Sequence, residues 1–403
     1  MAGGDKRIGI DKEVDRITEL PVNIREHILG CLSIKNAVAT SVLSSKWRYC
    51  WTGLRKLKFD AEFWGFGGDS TCLEHARVID RILMLHSGPI CEFILLIPYI
   101  KYMTVDINMC LCVLSNNGVQ KIEIDALKYK EIQTGGPFPI PSCLFHCREL
   151  KELSLSDCKL TPPSDFKGFA NLTTLCLDDV DISPSILGSL ISRCLLLETL
   201  SLMRLDLEEP LALEALNLKT FYFDGCELEN IIFNDTPKLT CVSLLATGET
   251  VQTQLHITLD LLCSLSKIEE LTYDIILLEP LSENCPSIAP TPLENLKSLT
   301  IRSLDLFYSQ DVLFTLCLIR SAPNLQNMTI HLDPESEYGS ESGEKIGEAT
   351  KLLEFEAKKY ESYNCLQTIK IGGTAVSRHE ILLINLLQTC CPKLKSIVIK
   401  KGR

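Results

Sequence analysis

Cysteine and histidine are the residue types in this chain that could hold a metal ion or act as nucleophiles, and the 403 residues include 19 Cys and 7 His. No Cys-x-x-Cys pair occurs. The nearest approaches to metal-ligand spacing are Cys110-x-Cys112 and Cys143-x3-Cys147, with His146 inside the second. Several other cysteines fall at repeat or helix-end positions, where small buried thiols are common. The spacing therefore predicts neither a metal site nor a cofactor.

The short motifs that position catalytic groups are also missing from the sequence. There is no Gly-x-Ser-x-Gly, no Walker A, no His-Glu-x-x-His and no Gly-x-Gly-x-x-Gly. The histidines are scattered, and no two of them stand at ligand spacing on one helix. We therefore expect a protein that is not an enzyme.

The pattern that organises the chain is the stretch Leu150–Leu160, which reads L-x-x-L-x-L-x-x-C-x-L. Leu153 and Leu155 are two residues apart, so on a strand they point to the same side, into a core. Ser154 lies between them and points to the other face. The stretch is therefore a strand with one buried side, followed by a turn.

The same offsets recur along the chain. Full versions begin at Leu150, Leu172, Leu197, Leu218 and Leu296, and shorter versions begin at Val119, Leu239, Ile268, Leu325, Leu366 and Leu394. Repeats at this period predict a solenoid, because each unit buries its apolar side only by stacking on its neighbours. Each fully buried Leu or Ile then contributes roughly 1.5–3 kcal/mol. The alternative, an ordinary α/β domain with Leu-rich strands, predicts no constant offset inside each unit.

The charge and hydropathy of the chain exclude some classes of partner. A net charge of −12 argues against a nucleic-acid groove, which requires a basic face. Apolar runs such as Phe93–Ile97 are far too short to span a bilayer, so we expect no membrane partner. The first 16 residues are polar and contain no cleavable signal sequence. We therefore expect reduced thiols and a cytoplasmic or nuclear location.

Residues 15–55 form a separate helical segment, after a flexible stretch over 1–14. Apolar residues at helical spacing share one face of its first helix: Ile24, Ile28, Leu29 and Leu32. Ser33 is a candidate N-cap of a second short helix, and Ser44 of a third helix that carries Trp47. A unit this small has little core of its own, and an exposed apolar face on such a unit usually marks a partner site.

This segment resembles the plant F-box. The matching stretches are Asp15-Arg16-Ile17-x-x-Leu20-Pro21, Ile28-Leu29-x-x-Leu32, Ala37-Val38-x-Thr40-Ser41-Val42-Leu43-Ser44 and Trp47-Arg48-x-x-x-Trp51. In that family the helices dock on a Skp-type adaptor, which joins them to a cullin-based ubiquitin ligase. Carried over by position, the resemblance implies an adaptor-facing set of Leu20, Pro21, Ile24, Ile28, Leu29, Leu32, Val38, Val42, Leu43 and Trp47. One departure is Ser44-Ser45-Lys46, where the family has a basic pair before the Trp.

The C-terminal stretch, from Cys365 to Ile397, resembles the FBD region that closes many plant F-box leucine-rich proteins. Physically it is two more strand units around one helix, predicted over 378–389, whose apolar residues cover the open end of the stack. The sequence thus predicts an α/β fold with a three-helix F-box and a curved leucine-rich-repeat solenoid that has a parallel inner sheet and outer helices and loops. The predicted boundaries are 15–55 for the F-box, 56–364 for the solenoid, with a mobile acidic loop over 333–345, and 365–403 for the FBD-like repeats and cap.

The residues that alternate with the core pairs form polar columns on the inner, concave face of this solenoid. The candidate target-binding residues there are Asp125, Ser154, Asp178, Ser201, Tyr222, Asp224, Thr272, Asp274, Arg302 and His331. Its four aspartates favour recognition of a basic segment of the target. The alternative is that Ser, Thr and Asp merely keep an exposed sheet soluble.

Together these expectations predict a substrate-recognition subunit of an SCF-type ubiquitin ligase. The F-box would bind the Skp-type adaptor and through it a cullin, and the leucine-rich repeats would bind a protein target. F-box subunits of this class bring substrate to a separate catalytic machine, which agrees with the missing catalytic motifs. One alternative is a receptor for a small hormone-like ligand, which would need a basic floor under an anionic molecule. Another is an interaction scaffold that acts outside a ligase.

Overall fold

The computed structural model describes residues 17, 19–65, 69–97, 105–126, 137–225, 230–245, 265, 267–274, 288–289, 291–332, 343–356, 365–374 and 378–401. The chain divides into two compact units. Unit 1 comprises Met1–Lys128 and Pro141–Glu149, and unit 2 comprises Tyr129–Ile140 and Leu150–Arg403. The predicted F-box boundary after residue 55 falls inside unit 1. The flexible stretch predicted over 1–14, and most of the acidic loop predicted over 333–345, lie outside the described residues.

Unit 1 begins with the helical module, which we define as residues 19–53. Helix α1 spans Val22–Gly30 and helix α2 spans Ile34–Ala39, and a 3-10 turn over Thr40–Val42 follows. The third helix predicted from Ser44 is not α-helical, because the chain makes successive turns that end in a 3-10 helix over Cys50–Gly53.

The reason is local hydrogen bonding around the Lys46 carbonyl. The Arg25 guanidinium donates to this oxygen at 2.6 Å. The Cys50 amide, which an α-helix would direct to Lys46, instead donates to the Trp47 carbonyl three residues back, at 3.2 Å. A side chain from α1 therefore replaces the helical bond, and the segment winds more tightly.

The rest of unit 1 consists of repeat units. Its elements are β1 (Lys56–Phe59), α3 (Ala61–Trp64), α4 (Asp69–Leu85), β2 (Glu92–Leu96), α5 (Ile107–Asn116), β3 (Lys121–Asp125) and a 3-10 turn (Ser142–His146). Strands β1, β2 and β3 pair in parallel. Their alternate residues, such as Leu57, Phe93 and Ile122, are fully buried, as the two-residue period of the pattern predicts.

The helical module is joined to the first repeat by direct hydrogen bonds. The Ser87 amide donates to the Thr52 carbonyl at 2.9 Å, and the hydroxyls of the same two residues lie 2.9 Å apart. His86 Nε2 lies 2.8 Å from the Leu54 carbonyl oxygen. A Cβ added at Gly88 would come within 3.4 Å of the Gly53 Cα, so the two backbones pack closely there. The module therefore packs on the first repeat as part of one unit.

Unit 2 contains the main parallel sheet and four described helices. The strands are β4 (Phe138–Pro139), β5 (Glu152–Ser156), β6 (Cys158–Lys159), β7 (Thr174–Asp178), β8 (Thr199–Met203), β9 (Leu211–Glu214), β10 (Thr220–Asp224), β11 (Ile231–Asp235), β12 (Cys241–Leu245), β13 (Glu270–Asp274), β14 (Ser298–Leu304), β15 (Asn327–Leu332), β16 (Thr368–Thr374) and β17 (Ser396–Lys401). The helices are α6 (Pro184–Arg193), α7 (Ser309–Ser321), α8 (Gly343–Glu356) and α9 (Arg378–Cys390). None of the helices in the described part of the chain is long and apolar enough to cross a membrane.

The main sheet runs in the order β5-β7-β8-β10-β12-β13-β14-β15-β16-β17, and β4 with β6 and β9 with β11 form short parallel pairs. The register is constant: Leu153 pairs with Leu175, which pairs with Leu200, and this row continues as far as Ile397. Because equal positions of the pattern lie opposite each other, the polar columns predicted from the spacing are confirmed for unit 2. The α/β fold with stacked parallel repeats is likewise confirmed.

The C-terminal end departs from the prediction in one respect. Helix α9 buries Leu383, Leu386 and Leu387, but Ile381, predicted to help cover the open end, is 49% exposed. The reason is that α9 precedes the last strand and packs against α8. Ile399 on β17 consequently stays half-exposed.

Candidate functional site

The helical module presents an apolar surface to solvent. Six of the ten residues predicted to face the adaptor are exposed, and we call them the apolar face: Pro21, Ile24, Ile28, Leu32, Val42 and Leu43. Val42 and Leu43 are 87% and 66% exposed. Leu20 and Val38, also predicted, are half-buried. Exposed apolar side chains on a small helical unit are typical of a protein-interaction surface.

The two remaining predicted adaptor-facing residues lie inside the module. Leu29 is fully buried and Trp47 is 2% exposed. Leu29 follows Ile28 by about 100° around the helix, so it points to the module's own core instead of the partner. We therefore assign both side chains to internal packing.

Arg25 is a residue of the module that the sequence reasoning did not identify. Its side chain is 9% exposed, and Nη1 donates to the Lys46 carbonyl at 2.6 Å and to Cys50 Sγ at 3.3 Å. The signal in the sequence was its position one turn before Leu29, on the inward side of α1. Arg25 thus holds the turns of the module against α1 and leaves the apolar face free.

The second candidate surface is the sheet face of unit 2, on which the predicted columns lie. Ser154, Ser201, Tyr222 and Thr272 share one column and are half-buried. Arg302 and His331 are exposed on β14 and β15. Asp125 lies on β3 of unit 1. The remaining three candidates are Asp178, Asp224 and Asp274, which lie on strands of unit 2.

Those aspartates do not form an exposed acidic surface. Asp224 is 6% exposed because the larger Met203 and Leu245 flank it in the same column. Asp274 is 3% exposed and lies in register with Arg302. Asp178 forms an ion pair with Arg204 at 2.7 Å. Because these three carboxylates are buried or paired, the column would attract a basic segment of a target less strongly than the sequence predicted.

Tyr222 lies among these charged groups at the middle of the face. Burial raises the pKa of its phenol, and the neighbouring Asp224 raises that pKa further, whereas Arg302 acts in the opposite direction. The phenol therefore stays neutral at pH 7. A half-buried neutral tyrosine offers both apolar area and a hydrogen-bond donor, and it is a common anchor of protein interfaces.

Basic side chains are concentrated at the C-terminal end of the sheet. The sheet-facing residues of β14 to β17 are Ser298, Thr300, Arg302, Asn327, Thr329, His331, Thr368, Lys370, Gly372, Ser396, Val398 and Lys400. None of these twelve is acidic. We define Arg302, His331, Lys370 and Lys400 as the cationic face, and all four are exposed.

The register fixes the spacing of the cationic face. His331 pairs with Gly372, which pairs with Lys400, while Lys370 stands two residues before Gly372 on the strand between them. From Arg302 to Lys400 is three strand spacings, roughly 14 Å at about 4.8 Å each. Asp274, in register with Arg302, balances part of the charge at one end. The other end is a local positive surface on a chain of net charge −12.

The described part of the chain gives no sign of a metal centre. Within it, no group of three or more His, Cys, Asp or Glu side chains is placed to hold a metal ion. A cavity of about 200 Å³ lies beside β11 and is lined by residues that include Phe233, Asp235 and Lys267. Pockets for drug-sized ligands usually enclose about 300–1,000 Å³. This cavity therefore gives little support to a hormone-like ligand.

Comparisons with known proteins match both the helical module and the repeats. The F-box domain model matches residues 17–59, and a family model described as the LRR repeats of FBD-associated F-box protein At5g56370 matches residues 108–330. The F-box/FBD/LRR-repeat protein At1g13570 of Arabidopsis thaliana is 34% identical over 396 residues, which cover 96% of this chain and 91% of that protein. The F-box/FBD/LRR-repeat protein At5g56420 of the same plant is 30% identical over 246 residues, 57% of this chain and 55% of that protein.

Proposed function

The chain belongs to the plant F-box/FBD/LRR-repeat family, and from this premise we propose that it is the substrate-recognition subunit of an SCF-type ubiquitin ligase. Its F-box implies binding to a Skp-type adaptor. The adaptor would in turn join the chain to a cullin. The sheet of unit 2 would hold the protein that is to be ubiquitinated.

The observation that carries this proposal is the exposure of the apolar face on the module that the F-box model matches. Ile24, Ile28 and Leu32 are each about 40% exposed, and Val42 and Leu43 are exposed further. Such a face is stabilised when a partner covers it, at roughly 25 cal/mol for each Å² of apolar surface removed from water. The hydrogen bond from the Ser87 amide to the Thr52 carbonyl would help to keep the docked module attached to the first repeat.

For the target side, we place recognition on Tyr222 and the cationic face. The covered aspartates favour an acidic segment of the target over the basic one expected from the sequence. Exposed Lys and Arg at the rim of an interface mainly raise the association rate and select the partner, whereas a central tyrosine contributes more of the affinity. The target itself is therefore a protein with a run of carboxylate or phosphoryl groups.

This role requires no chemistry from the chain itself. Ubiquitin transfer would be performed by other subunits of the ligase, so we propose a non-catalytic receptor with no cofactor. A cytoplasmic or nuclear location, where such ligases operate on folded proteins, is part of the same proposal.

Co-purification from plant cells separates the proposal from its alternatives. The tagged full-length chain should recover both a Skp-type adaptor and a cullin, and a proteasome inhibitor should increase the recovery of target proteins. Recovery of partner proteins without adaptor or cullin would support a scaffold outside a ligase. A target recovered only when a plant small-molecule extract is added would support the hormone-like receptor.

A further inference from the structure

Two cysteines that are distant in sequence lie next to each other in unit 1. Cys112 lies on α5, and Cys143 lies on the 3-10 turn Ser142–His146. Their Sγ atoms are 2.7 Å apart. Non-bonded carbon atoms keep roughly 3.5–4.0 Å, and a disulfide bond measures about 2.05 Å. The two side chains thus already stand close to bonding position, and both cysteines are free.

Cys112 and Cys143 come from the two cysteine motifs of the sequence, Cys110-x-Cys112 and Cys143-x3-Cys147. In each motif the other cysteine is buried. Cys110 and Cys147 are fully buried or nearly so, and burial raises the pKa of each thiol to about 12. Cys112 and Cys143 are both partly exposed to solvent. Because the thiolate is the reactive form and an oxidant must reach it, the buried members stay inert and the exposed pair is the accessible one.

The polar surroundings distinguish the two members of the pair. Cys143 Sγ donates to Asn108 Oδ1 at 3.2 Å. The hydrogen bond with Cys112, followed by burial, raises the pKa of the Cys143 thiol. Because these contacts hold the proton of the Cys143 thiol, we assign the first step of the reaction to Cys112.

We propose that Cys112 and Cys143 are a modification site that closes to a reversible disulfide when the protein meets a peroxide. In the first step the Cys112 thiolate attacks one oxygen of hydrogen peroxide. An S–O bond forms, the O–O bond breaks, and the departing hydroxide takes up a proton to become water. In the second step the Cys143 sulfur attacks the sulfenic acid, an S–S bond forms, the S–O bond breaks, and the Cys143 proton leaves in a second water molecule.

The reaction balances in atoms and electrons with hydrogen peroxide as its oxidant. Two thiols lose two electrons and two protons, and one hydrogen peroxide is reduced to two water molecules. A low-molecular-weight thiol such as glutathione reverses the reaction by thiol–disulfide exchange. The bond joins α5 to the 142–146 turn and closes the intervening chain into a loop, which restricts the unfolded state.

The test uses the full-length protein treated with hydrogen peroxide or with dithiothreitol, alkylated, digested without reduction and analysed by mass spectrometry. The expected result is a Cys112–Cys143 cross-linked peptide after peroxide that disappears after dithiothreitol. Cys143→Ser and Cys112→Ser should each abolish it, while the control Cys147→Ser should keep it. Peroxide should also raise the thermal unfolding midpoint of the wild type and leave that of Cys143→Ser unchanged.

Two results would overturn the proposal. One is a protein in which both thiols remain open to alkylation under conditions that oxidise its other cysteines. The other is a cross-link from Cys143 to Cys147 in place of Cys112. Circular dichroism of each Ser variant verifies that the fold is retained, so a lost cross-link reports on the bond and not on unfolding.

Discussion

Ile28 and Leu29 are consecutive residues of α1, yet Ile28 is 38% exposed while Leu29 is fully buried. The helix turns about 100° between them, which is enough to separate a surface from a core. One helix thus contributes both to the apolar face and to the packing of the module. Substitutions at these two positions should therefore have different effects.

Ile28→Asp is expected to weaken adaptor binding without unfolding the module. A carboxylate would have to be buried unpaired in the apolar contact, and truncating an interface anchor alone often costs about 2 kcal/mol, or roughly 30-fold in Kd. Stability should change by about 0.5 kcal/mol or less, as for most surface positions. Isothermal titration with a plant Skp-type adaptor and thermal unfolding measure the two effects.

Leu29→Ala should show the opposite behaviour. It leaves a cavity in the module, and buried Leu→Ala changes usually cost about 2–5 kcal/mol of unfolding free energy. The folded fraction should still bind the adaptor with wild-type affinity at low temperature. If Leu29→Ala instead kept its stability but lost adaptor binding, Leu29 would have to be assigned to the interface with the adaptor.

The cationic face predicts preference for an acidic segment. We expect Lys370→Glu combined with Lys400→Glu to weaken binding of a fluorescent Glu-rich decapeptide at least about 10-fold at low salt, and the wild-type affinity to fall as salt rises. A second peptide with phosphoserine distinguishes phosphoryl from carboxylate recognition. Lys297→Glu, a charge reversal at a lysine paired with Glu269 at 2.8 Å, is the matched control. Tighter binding of a Lys-rich peptide by the wild type would contradict the assignment.

Asp311, in the first turn of α7, should make stability depend on pH. Burial, together with the neighbouring Asp305, raises the pKa of this carboxyl from 3.8 to about 7. Between these values the folded chain holds a proton that the unfolded chain has lost, so stability falls as pH rises through this window, by at most about 4 kcal/mol. Asp311→Asn should remove that dependence and be the more stable form at pH 8. The measurement is the unfolding free energy of the wild type and of Asp311→Asn, each at pH 5 and at pH 8. If the two proteins differed by the same free energy at both pH values, the prediction would be refuted.

The repeat register was predictable from sequence because its cause is local. A fixed offset between apolar residues, with a two-residue alternation, determines both which side chains are buried and which lie opposite each other in a parallel stack. Leu153, Tyr222 and Lys370 consequently occupy the predicted positions. The first two F-box helices were predictable from helical spacing and the resemblance, whereas the third predicted helix proved to be a series of turns.

Other features depended on contacts that spacing does not encode. The burial of Asp224 follows from the size of its neighbours on adjacent strands, and the inward position of Trp47 from the folding of the turns around Arg25. The meeting of Cys112 with Cys143 requires the packing of α5 against a turn 31 residues away in the chain. A one-dimensional pattern reports a residue's own periodicity but not which distant residue covers it.

A matched pair of substitutions can separate binding of the Skp-type adaptor by the apolar face from a general effect of added charge. Ile24, on the apolar face, and Ile186, on α6 of unit 2, are both 41% exposed isoleucines on helices. Titration of the purified adaptor into each full-length variant should give loss of binding for Ile24→Asp and wild-type affinity for Ile186→Asp. Wild-type affinity for Ile24→Asp, or equal loss in both, would contradict the account.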